Sequence, residues 1–309
     1  MVSPHDISVA SRPVVFGEVL FDTFPDGTSV LGGAPFNVAW HLQGLGLKPL
    51  FVSRVGADDR GEQVRQAMLE WGMDVGGLQR GDHPTGQVRV EFEGGQPAFH
   101  IVPDQAYDFI DDVEAEAAVA GVGSAVLYHG SLAMRSATSA AALRAMTARM
   151  PSIFVDVNLR SPWWTQDVVE SALAGARWAK LNDHELAELS GQSLPDRQHL
   201  IGLAVAMAKR FHLEVLIVTL GANGAFIVAG DEVVDQPAPS VVDVIDTVGA
   251  GDAFSAVALI GLMADWPKDV ILSRCLEFAA AVCTIRGATL MDLTFYRHHL
   301  ERWGLPEDG

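Results

Sequence analysis

The segment DTVGAGDAF, residues 246–254, places a carboxylate, Asp252, just ahead of the nearly continuous apolar run SAVALIGLMA. The first turn of an α-helix has unpaired backbone N–H groups and a partial positive charge, so an anion is stabilised there. Gly249 and Gly251 remove the side chains that would keep a ligand away from those groups. Two interpretations follow: Asp252 caps the helix, or Asp252 does chemistry beside an anion-binding helix start.

A second glycine-rich segment, LGGAPFNVAWHLQGLG at residues 31–46, has the residue types of a site for hydroxyl groups. Gly32 and Gly33 let a ligand approach the backbone, and Pro35 is typical of the first helical turn. Asn37 lies one turn into the predicted helix, where its amide can donate and accept hydrogen bonds. Asp22 can accept two hydroxyl protons, so these residues together predict a hydroxyl-rich ligand.

Further polar residues and glycines follow the strand-like segments of the chain. Ligands of open parallel sheets bind at the carboxyl ends of the strands, so we expect these residues to lie at one edge. Each also has a simpler explanation as a turn residue, a surface ion pair or part of a capping box. The residues are Asp22, Asn158, Arg160, Asn182, Glu185, Gly221 and Gly224.

The elements that must position these residues alternate between strands and helices. Runs such as PVVFGEVLF, LFVSRVG, SIFVDVN and VLIVTLG are separated by helical patterns such as DRGEQVRQAMLEWG. This alternation predicts a parallel sheet covered by helices. No linker, repeat or low-complexity tract divides the chain, so we expect a single α/β domain over residues 1–309.

One region departs from that rhythm. Residues 85–102, TGQVRVEFEGGQPAFHIV, alternate apolar and polar side chains on both sides of Gly94-Gly95, which predicts a hairpin outside the parallel sheet. A second strand pair is predicted near residues 18–31. Together the two pairs are expected to form either a small β lid or a homodimer surface.

The charge of the chain excludes some classes of partner. Lys and Arg total 21 against 39 Asp and Glu, a net charge of −18, so nucleic acid and anionic membranes are not expected as partners. The first twenty residues lack a basic start followed by an apolar run, and no apolar run is long enough to span a bilayer. These features favour a cytoplasmic protein.

Several enzyme classes are excluded because their motifs are missing. The sequence has no G-x-x-x-x-G-K-[ST] loop and no G-x-G-x-x-G fingerprint. The segment HELAE at His184 is one histidine short of a zinc-protease helix. P-loop enzymes, dinucleotide oxidoreductases and zinc proteases therefore become poor candidates.

The segments GGAPFNVAWHLQGLG and DTVGAGDAF resemble the two signatures of the ribokinase-like (PfkB) carbohydrate kinases. The residues Gly-Gly-Ala-Pro-x-Asn that end at Asn37 are similar to those of bacterial fructokinases. DVNLRSPWW, NDHE, TLGANG and AAAVCTIRGA occur in the family's order, so the resemblance covers the whole chain. It implies a ribokinase-like three-layer α/β/α fold, with a mostly parallel central sheet and a small β lid.

The resemblance also implies a role for each matching residue. Asp252 is similar to the catalytic base, and the backbone of Gly249, Ala250, Gly251 and Asp252 to the anion hole. The sugar-binding positions are Asp22, Gly32, Gly33, Asn37 and Arg160. The positions linked to ATP are Asn182, Glu185, Thr219, Gly221 and Gly224, with Glu185 contacting Mg²⁺ through water.

Asp246 and the carbonyl of Val248 fall where many family members hold a monovalent cation. Met291, in CTIRGATLM, stands where a small polar residue is expected, which leaves potassium activation open. The roles of His100, Asp104 and Tyr107 in the lid segment are also open, between a sugar contact and a subunit contact.

The predicted activity is therefore that of an ATP-dependent sugar kinase, with D-fructose converted to fructose 6-phosphate as the leading assignment. The same chemistry on ribose or 2-keto-3-deoxygluconate is the main alternative. A kinase-fold sugar sensor without turnover is a second alternative, although Asp252 and the N-x-x-E element, Asn182 to Glu185, argue against it.

Overall fold

The computed structural model describes residues 12–93, 96–123, 126–194, 196–241 and 243–305. Its strands are β1 (Val14–Phe16), β2 (Leu20–Thr23), β3 (Ser29–Gly32), β4 (Leu50–Gly56), β5 (Leu78–Gly81), β6 (Gly86–Glu93), β7 (Gln96–Ile101), β8 (Val126–His129), β9 (Ser152–Asp156), β10 (Trp178–Asn182), β11 (Val215–Thr219), β12 (Ala225–Ala229) and β13 (Glu232–Gln236). Its α-helices are α1 (Ala34–Gly44), α2 (Asp59–Glu70), α3 (Asp112–Val119), α4 (Ala137–Thr147), α5 (Gln166–Ala174), α6 (Asp183–Leu189), α7 (Arg197–Phe211), α8 (Ala250–Met263), α9 (Lys268–Val282) and α10 (Leu293–Trp303).

The central sheet of the described part of the chain has nine strands, in the order β13-β12-β11-β10-β9-β8-β1-β4-β5. β1 pairs in parallel with both neighbours, so that Val14 lies opposite Leu50 on one side and Leu127 on the other. Among these nine strands, β12 alone runs opposite to the others, and it pairs antiparallel with both β11 and β13. The sheet is therefore mostly parallel, as the alternation of elements predicts.

Helices cover both faces of this sheet. Successive side chains of a strand point to opposite faces. Val15 packs in a cluster with α1, α2, α8, α9 and α10, whereas Val14 and Phe16 pack with α3 and α4 on the other face. Phe154 and Val155 likewise point to opposite faces of the sheet. Phe154 packs in the same cluster as Val15, and Val155 packs with α5, α6 and α7. The three-layer α/β/α architecture is thus confirmed.

A second, four-stranded sheet has the order β3-β2-β6-β7, and we call it the lid sheet. β2 pairs antiparallel with β3 and parallel with β6, so that Asp22 lies opposite Val88. β6 and β7 pair antiparallel and correspond to the hairpin of residues 85–102. Leu20 and Val88 pack against Tyr107 and Leu132, which joins the lid sheet to the main body.

The segment PVVFGEVLF does not form the single strand that its composition predicts. Gly17 has a φ of +149°, and a Cβ at this position would lie 2.4 Å from Cγ of Pro35. The chain therefore bends at Gly17 and leaves the central sheet. As a result, Asp22 lies within the lid sheet and does not follow the first strand of the central sheet.

Helix α8 is apolar on nearly every side because it is enclosed by the protein core. Its residues from Ala253 to Leu262 are all buried, and it packs against α1 and α9. Within the ranges described above, no helix combines the length and the apolar character needed to cross a membrane.

Candidate active site

A cavity of about 580 Å³ lies between the lid sheet and the carboxyl ends of the central strands. It brings together segments that are far apart in the sequence, including both glycine-rich segments. Of the residues singled out from the sequence, the following line it: Asp22, Gly33, Asn37, Asn158, Arg160, Asn182, Glu185, Thr219, Val248, Gly249, Gly251 and Asp252. Gly32, Gly221, Gly224, Asp246 and Ala250 fall outside its lining.

Asp252 lies in the first turn of α8, at the floor of the cavity. Gly249 is the residue that precedes this helix, and its φ of +80° brings it so close to Ala288 that a Cβ would lie 2.4 Å from the Ala288 Cβ. No side chain caps the start of α8. Asp252 instead accepts a hydrogen bond from Nδ2 of Asn37, 2.8 Å from its Oδ2. The simple capping interpretation of Asp252 is therefore wrong.

The surroundings of Asp252 suit a group that takes up a proton near neutral pH. Burial raises the pKa of Asp252 to about 6, an effect that the Asn37 hydrogen bond opposes and the nearby Asp156 carboxylate reinforces. A carboxylate with this pKa is largely ionised at pH 7 but is a stronger base than an exposed aspartate.

The start of α8 presents backbone N–H groups to the same cavity. The N–H of Ala250 already donates to the Thr247 carbonyl at 3.3 Å. The N–H groups of Gly251 and Asp252 are in the first helical turn, where no intrahelical acceptor exists. Developing negative charge on a ligand can be stabilised at this point.

Charged and amide side chains that can hydrogen-bond to hydroxyl groups surround the end of the cavity that faces the lid sheet. Asp22 points into it from β2, and Arg160 approaches it from the loop after β9. Burial raises the pKa of Asp22, and the charge of Arg160 opposes that rise. Oδ1 of Asn37 is buried and has no hydrogen-bond partner among the described residues, so it is available to a ligand donor.

Asn182 and Glu185 form a capping box at the start of α6. Oδ1 of Asn182 accepts from the Glu185 N–H at 2.9 Å, and Oε2 of Glu185 accepts from the Asn182 N–H at 2.8 Å. Oε1 of Glu185 accepts from the N–H of Leu159 at 2.8 Å. Since each oxygen has one backbone partner, the carboxylate keeps further lone pairs for water. The capping and ligand-binding interpretations of this pair are therefore compatible.

Asp246 braces the loop that precedes α8. Its Oδ1 accepts from the N–H of Val248 at 3.0 Å, and its Oδ2 accepts from the N–H of Gly287 at 3.1 Å. Val248 itself lines the cavity. The Asp246 carboxylate thus ties this loop to the loop that follows α9.

Two buried residues that the sequence analysis missed, Asp156 and Lys180, also line the cavity. Nζ of Lys180 lies 2.9 Å from both oxygens of Asp156, and Ser255 Oγ donates to the same carboxylate at 2.7 Å. Burial disfavours the Lys180 ammonium, but the carboxylates around it, Asp156 foremost and then Glu185 and Asp252, together raise the pKa of Lys180. A lysine inside the otherwise apolar strand WAKLN was the available signal.

Glu18 is a third residue that the sequence analysis missed. It follows Gly17, is only 3% exposed, and lines the cavity. Its Oε2 has no hydrogen-bond partner among the described residues. Burial raises the pKa of Glu18 to about 7, although Arg160 lowers it, so the buried carboxyl is partly protonated at neutral pH. Its position between two strand-like runs hid it from pattern analysis.

The three lid-segment residues of open role lie in different surroundings. His100 is exposed on β7, with its Nε2 3.7 Å from Oε2 of Glu91. Asp104 is exposed in a turn with a φ of +56°. Tyr107 is fully buried beneath the lid sheet. None of the three lines the cavity.

The cavity thus brings together a carboxylate with a raised pKa, a helix start and several hydrogen-bonding side chains, an arrangement that is chemically suited to phosphorylation of an alcohol. Comparisons with known proteins point the same way. The fructokinase of Klebsiella pneumoniae is 30% identical over 310 residues, which cover 93% of this chain and 97% of that protein.

Solved structures agree with this relation. The fructokinase of Vibrio cholerae O395, in fructose, ADP and calcium ion bound form, has a TM-score of 0.78 at 26% identity and covers 94% of this chain and 99% of that one. A sugar kinase of Pyrococcus horikoshii in complex with ATP has a TM-score of 0.74 at 25% identity, covering 93% and 99%.

The model of the pfkB family carbohydrate kinases matches residues 14–294. This range includes β1 at its start and both glycine-rich segments, which meet in the cavity through Asn37 and Asp252. With a family match over most of the chain and both segments joined at one site, this protein belongs to the pfkB family of carbohydrate kinases.

Proposed function

We propose that this carbohydrate kinase is a fructokinase, which transfers the γ-phosphate of ATP to the 6-hydroxyl of D-fructose. The observation that carries the proposal is the hydrogen bond between Asn37 and Asp252, which joins the two glycine-rich segments within one cavity and supports Asp252 as the base for a sugar hydroxyl. The relation to the Klebsiella pneumoniae fructokinase over nearly the full length supports fructose as the acceptor.

In the proposed reaction, Asp252 accepts the proton of the sugar hydroxyl as that oxygen attacks the γ-phosphorus. Asn37 donates to Oδ2 of Asp252 and so fixes the orientation of the carboxylate. The N–H groups of the first turn of α8 stabilise the charge that develops on the transferred phosphoryl oxygens. As the bond between the sugar oxygen and the γ-phosphorus forms, the bond from that phosphorus to the β–γ bridging oxygen breaks and ADP leaves.

Asp22 and Arg160 hold the acceptor in the proposed complex. Asp22 accepts hydrogen bonds from two sugar hydroxyls, and Arg160 binds the sugar or the transferring phosphate. The lid sheet covers this end of the cavity with Leu20 and Val88. Exclusion of water by these side chains limits the hydrolysis of ATP.

The residues present fit the divalent ion that ATP brings. Among the described residues, no group of three or more His, Cys, Asp or Glu side chains is arranged as a direct metal site. Glu185 can contact Mg²⁺ through water, because both its oxygens are already engaged by backbone N–H groups. Bound Mg²⁺ neutralises charge on the β- and γ-phosphates.

A monovalent cation such as K⁺ is proposed at the carbonyl of Val248, beside Asp246. The hydrogen bonds that Asp246 accepts from Val248 in its own loop and from Gly287 in the loop after α9 support a rigid site there. Turnover measured in potassium salts and in salts of a bulky organic cation tests this assignment, because only a bound ion makes the two rates differ at equal ionic strength.

The assignment of fructose is tested by ADP release over a panel of hexoses, ribose, nucleosides and 2-keto-3-deoxygluconate. We expect the highest kcat/KM for fructose, with the phosphate on the 6-hydroxyl by NMR of the product. The Asp252→Asn variant, purified in parallel, measures the contribution of contaminating kinases.

A clear preference for ribose, a nucleoside or the keto-deoxy acid would refute the fructose assignment and leave the kinase activity standing. Binding of a sugar without any turnover would instead favour the sensor alternative.

A further inference from the structure

Arg135 is a buried cation outside the proposed catalytic machinery. It ends the 3₁₀ turn Leu132–Arg135, and its side chain is 6% exposed. Nε donates to Oδ1 of Asp108 and Nη2 to Oδ2 of Asp108, both at 2.7 Å. Nη2 also donates to the carbonyl of Val102 at 2.8 Å. This paired arrangement holds the guanidinium in one orientation.

The Val102 carbonyl connects Arg135 to the lid sheet. Val102 directly follows β7, and its N–H donates to the carbonyl of Gln87 on β6 at 3.1 Å. Arg135 therefore contacts the residue at which the lid sheet returns to the main body. Loss of this guanidinium would remove a hydrogen bond that holds the base of the hairpin to the main body.

Two aromatic rings pack against the Arg135 guanidinium, and one of them belongs to the turn that carries Arg160. Cζ of Arg135 lies 4.5 Å from the ring centre of Trp163 and 5.1 Å from that of Tyr107. Trp163 belongs to the turn that carries Arg160, because its N–H donates to the Arg160 carbonyl at 2.7 Å. The contact with Trp163 thus extends from the lid base to the turn of Arg160.

The same cation also influences Glu18 in the cavity wall. Arg135 lies close enough to Glu18 to lower the pKa of its carboxyl, although burial dominates. Nη1 of Arg135, the hydroxyl of Tyr107 and Oε2 of Glu18 are buried and without hydrogen-bond partners among the described residues. A salt bridge that served only the stability of the core would not need these unpaired polar atoms beneath the hydroxyl-binding end of the cavity.

We propose that Arg135 is a positioning residue for sugar binding, which fixes the base of the lid sheet relative to the turn that carries Arg160. This inference rests on the proposed function, because the role of Arg160 in binding the acceptor is part of that proposal. Arg135 sets the width of the sugar end of the cavity and leaves the nucleotide end unchanged. A purely structural salt bridge would affect stability without distinguishing the two ligands.

The test compares Arg135→Met with Arg135→Lys, using the sugar that the wild-type protein prefers in the panel. We expect Arg135→Met to raise the sugar KM about tenfold or more, with the ATP KM within about twofold of wild type. Arg135→Lys retains the charge but loses the paired geometry, so it should recover only part of the affinity. The sugar Kd from calorimetry should follow the sugar KM.

A matched control is available at Arg177, whose guanidinium donates to Oε2 of Glu214 at 2.7 Å and lies 4.8 Å from the ring of Trp178. It makes the same two kinds of contact outside the cavity lining. Arg177→Met should leave both KM values unchanged.

Two variants of Trp163 test the connection to the Arg160 turn. Trp163→Leu removes the aromatic face and should raise the sugar KM, whereas Trp163→Phe retains a ring and should restore most of the affinity. The double variant of Arg135→Met and Trp163→Leu should resemble either single variant, because both changes break one connection.

Arg135→Met leaves the buried Asp108 carboxylate without its ion-pair partner and could for that reason fail to fold. In that case the double variant of Arg135→Met and Asp108→Asn, which removes both charges, is assayed in place of the single variant. A sugar KM within about twofold of wild type in a folded Arg135 variant would overturn the proposal. Equal increases in the sugar and ATP KM values would overturn it as well. Because the preferred sugar is found first with wild-type protein, a wrong fructose assignment is detected separately.

Discussion

Replacing Asp252 by Asn tests the proposed base while preserving the shape of the site. The Asn37 Nδ2 that donates to Asp252 at 2.8 Å can still find an amide oxygen at this position. An amide cannot accept the proton of the sugar hydroxyl, however. We therefore expect kcat to fall by about 10²–10⁴-fold, the range typical for loss of a general base.

The same change should not weaken the fold. Burial raises the pKa of Asp252 from 3.8 to about 6, so the folded state holds the proton more tightly than the unfolded chain. This contribution to stability is fully present below about pH 4 and is lost as the pH rises through about 6. Asn resembles the protonated carboxyl and does not incur this loss.

The rise in the pKa of Asp252 sets the size of the expected change in the free energy of unfolding. Two pKa units correspond to about 3 kcal/mol, and water in the open cavity reduces this value because the Asp252 side chain is only half-buried. Asp252→Asn should therefore match or exceed the wild-type free energy of unfolding at pH 7, by at most about 3 kcal/mol. The difference should disappear near pH 4.

Unfolding by denaturant at pH 4 and pH 7, calorimetric Kd values for fructose and ATP, and kcat are measured on one preparation. Wild-type kcat/KM should also fall below about pH 6, where Asp252 becomes protonated. Near-normal turnover in a folded Asp252→Asn protein would refute the mechanism. A clear loss of stability at pH 7 would refute the electrostatic reasoning independently.

Three further changes test other parts of the site. Asp22→Ala should weaken fructose binding by about 2–3 kcal/mol in calorimetry, with ATP binding unchanged, because it removes charge-assisted hydrogen bonds; an unchanged fructose Kd would limit Asp22 to a structural role. Glu185→Gln should raise the Mg²⁺ concentration for half-maximal turnover about 10–100-fold, and an unchanged Mg²⁺ titration would contradict the water-mediated contact. Lys180→Met should lower the free energy of unfolding by about 3–5 kcal/mol at pH 7, since Asp156 loses its buried partner; unfolding at the wild-type denaturant concentration would disprove this.

The alternation of elements predicts a parallel sheet covered by helices, because that arrangement depends on short-range patterns; the resemblance to the family adds the three-layer form. A strand buried on both faces must be apolar throughout, and a covering helix must show its own period, so the alternation can be read locally. The break at Gly17 could not be read in this way. The contact that leaves no room for a side chain at Gly17 is made by the ring of Pro35, which approaches it only after α1 has folded against the sheet.

The location of the site residues is predictable for a related reason. Thr219, Asn182 and Arg160 follow or end parallel strands, and the carboxyl ends of such strands meet at one edge. The pairing of Asn37 with Asp252 could not be predicted in this way, because the two residues are 215 positions apart in the sequence. The residues alone favour a hydroxyl-binding group and a helix-start carboxylate, and only the packing of α1 against α8 brings them together.

The ion pair of Lys180 with Asp156 shows why the remaining part of the site needed the structure. Lys180 is conspicuous within its strand, but neither residue reveals its partner. Their contact follows from the register of β9 with β10, in which they lie directly opposite each other. Ser255 then connects this pair to α8, donating to Asp156 at 2.7 Å. Because Ser255 lies three residues after Asp252, this hydrogen bond anchors the first turns of α8 to the central sheet. The sheet register, which no local pattern specifies, therefore fixes where the proposed base stands.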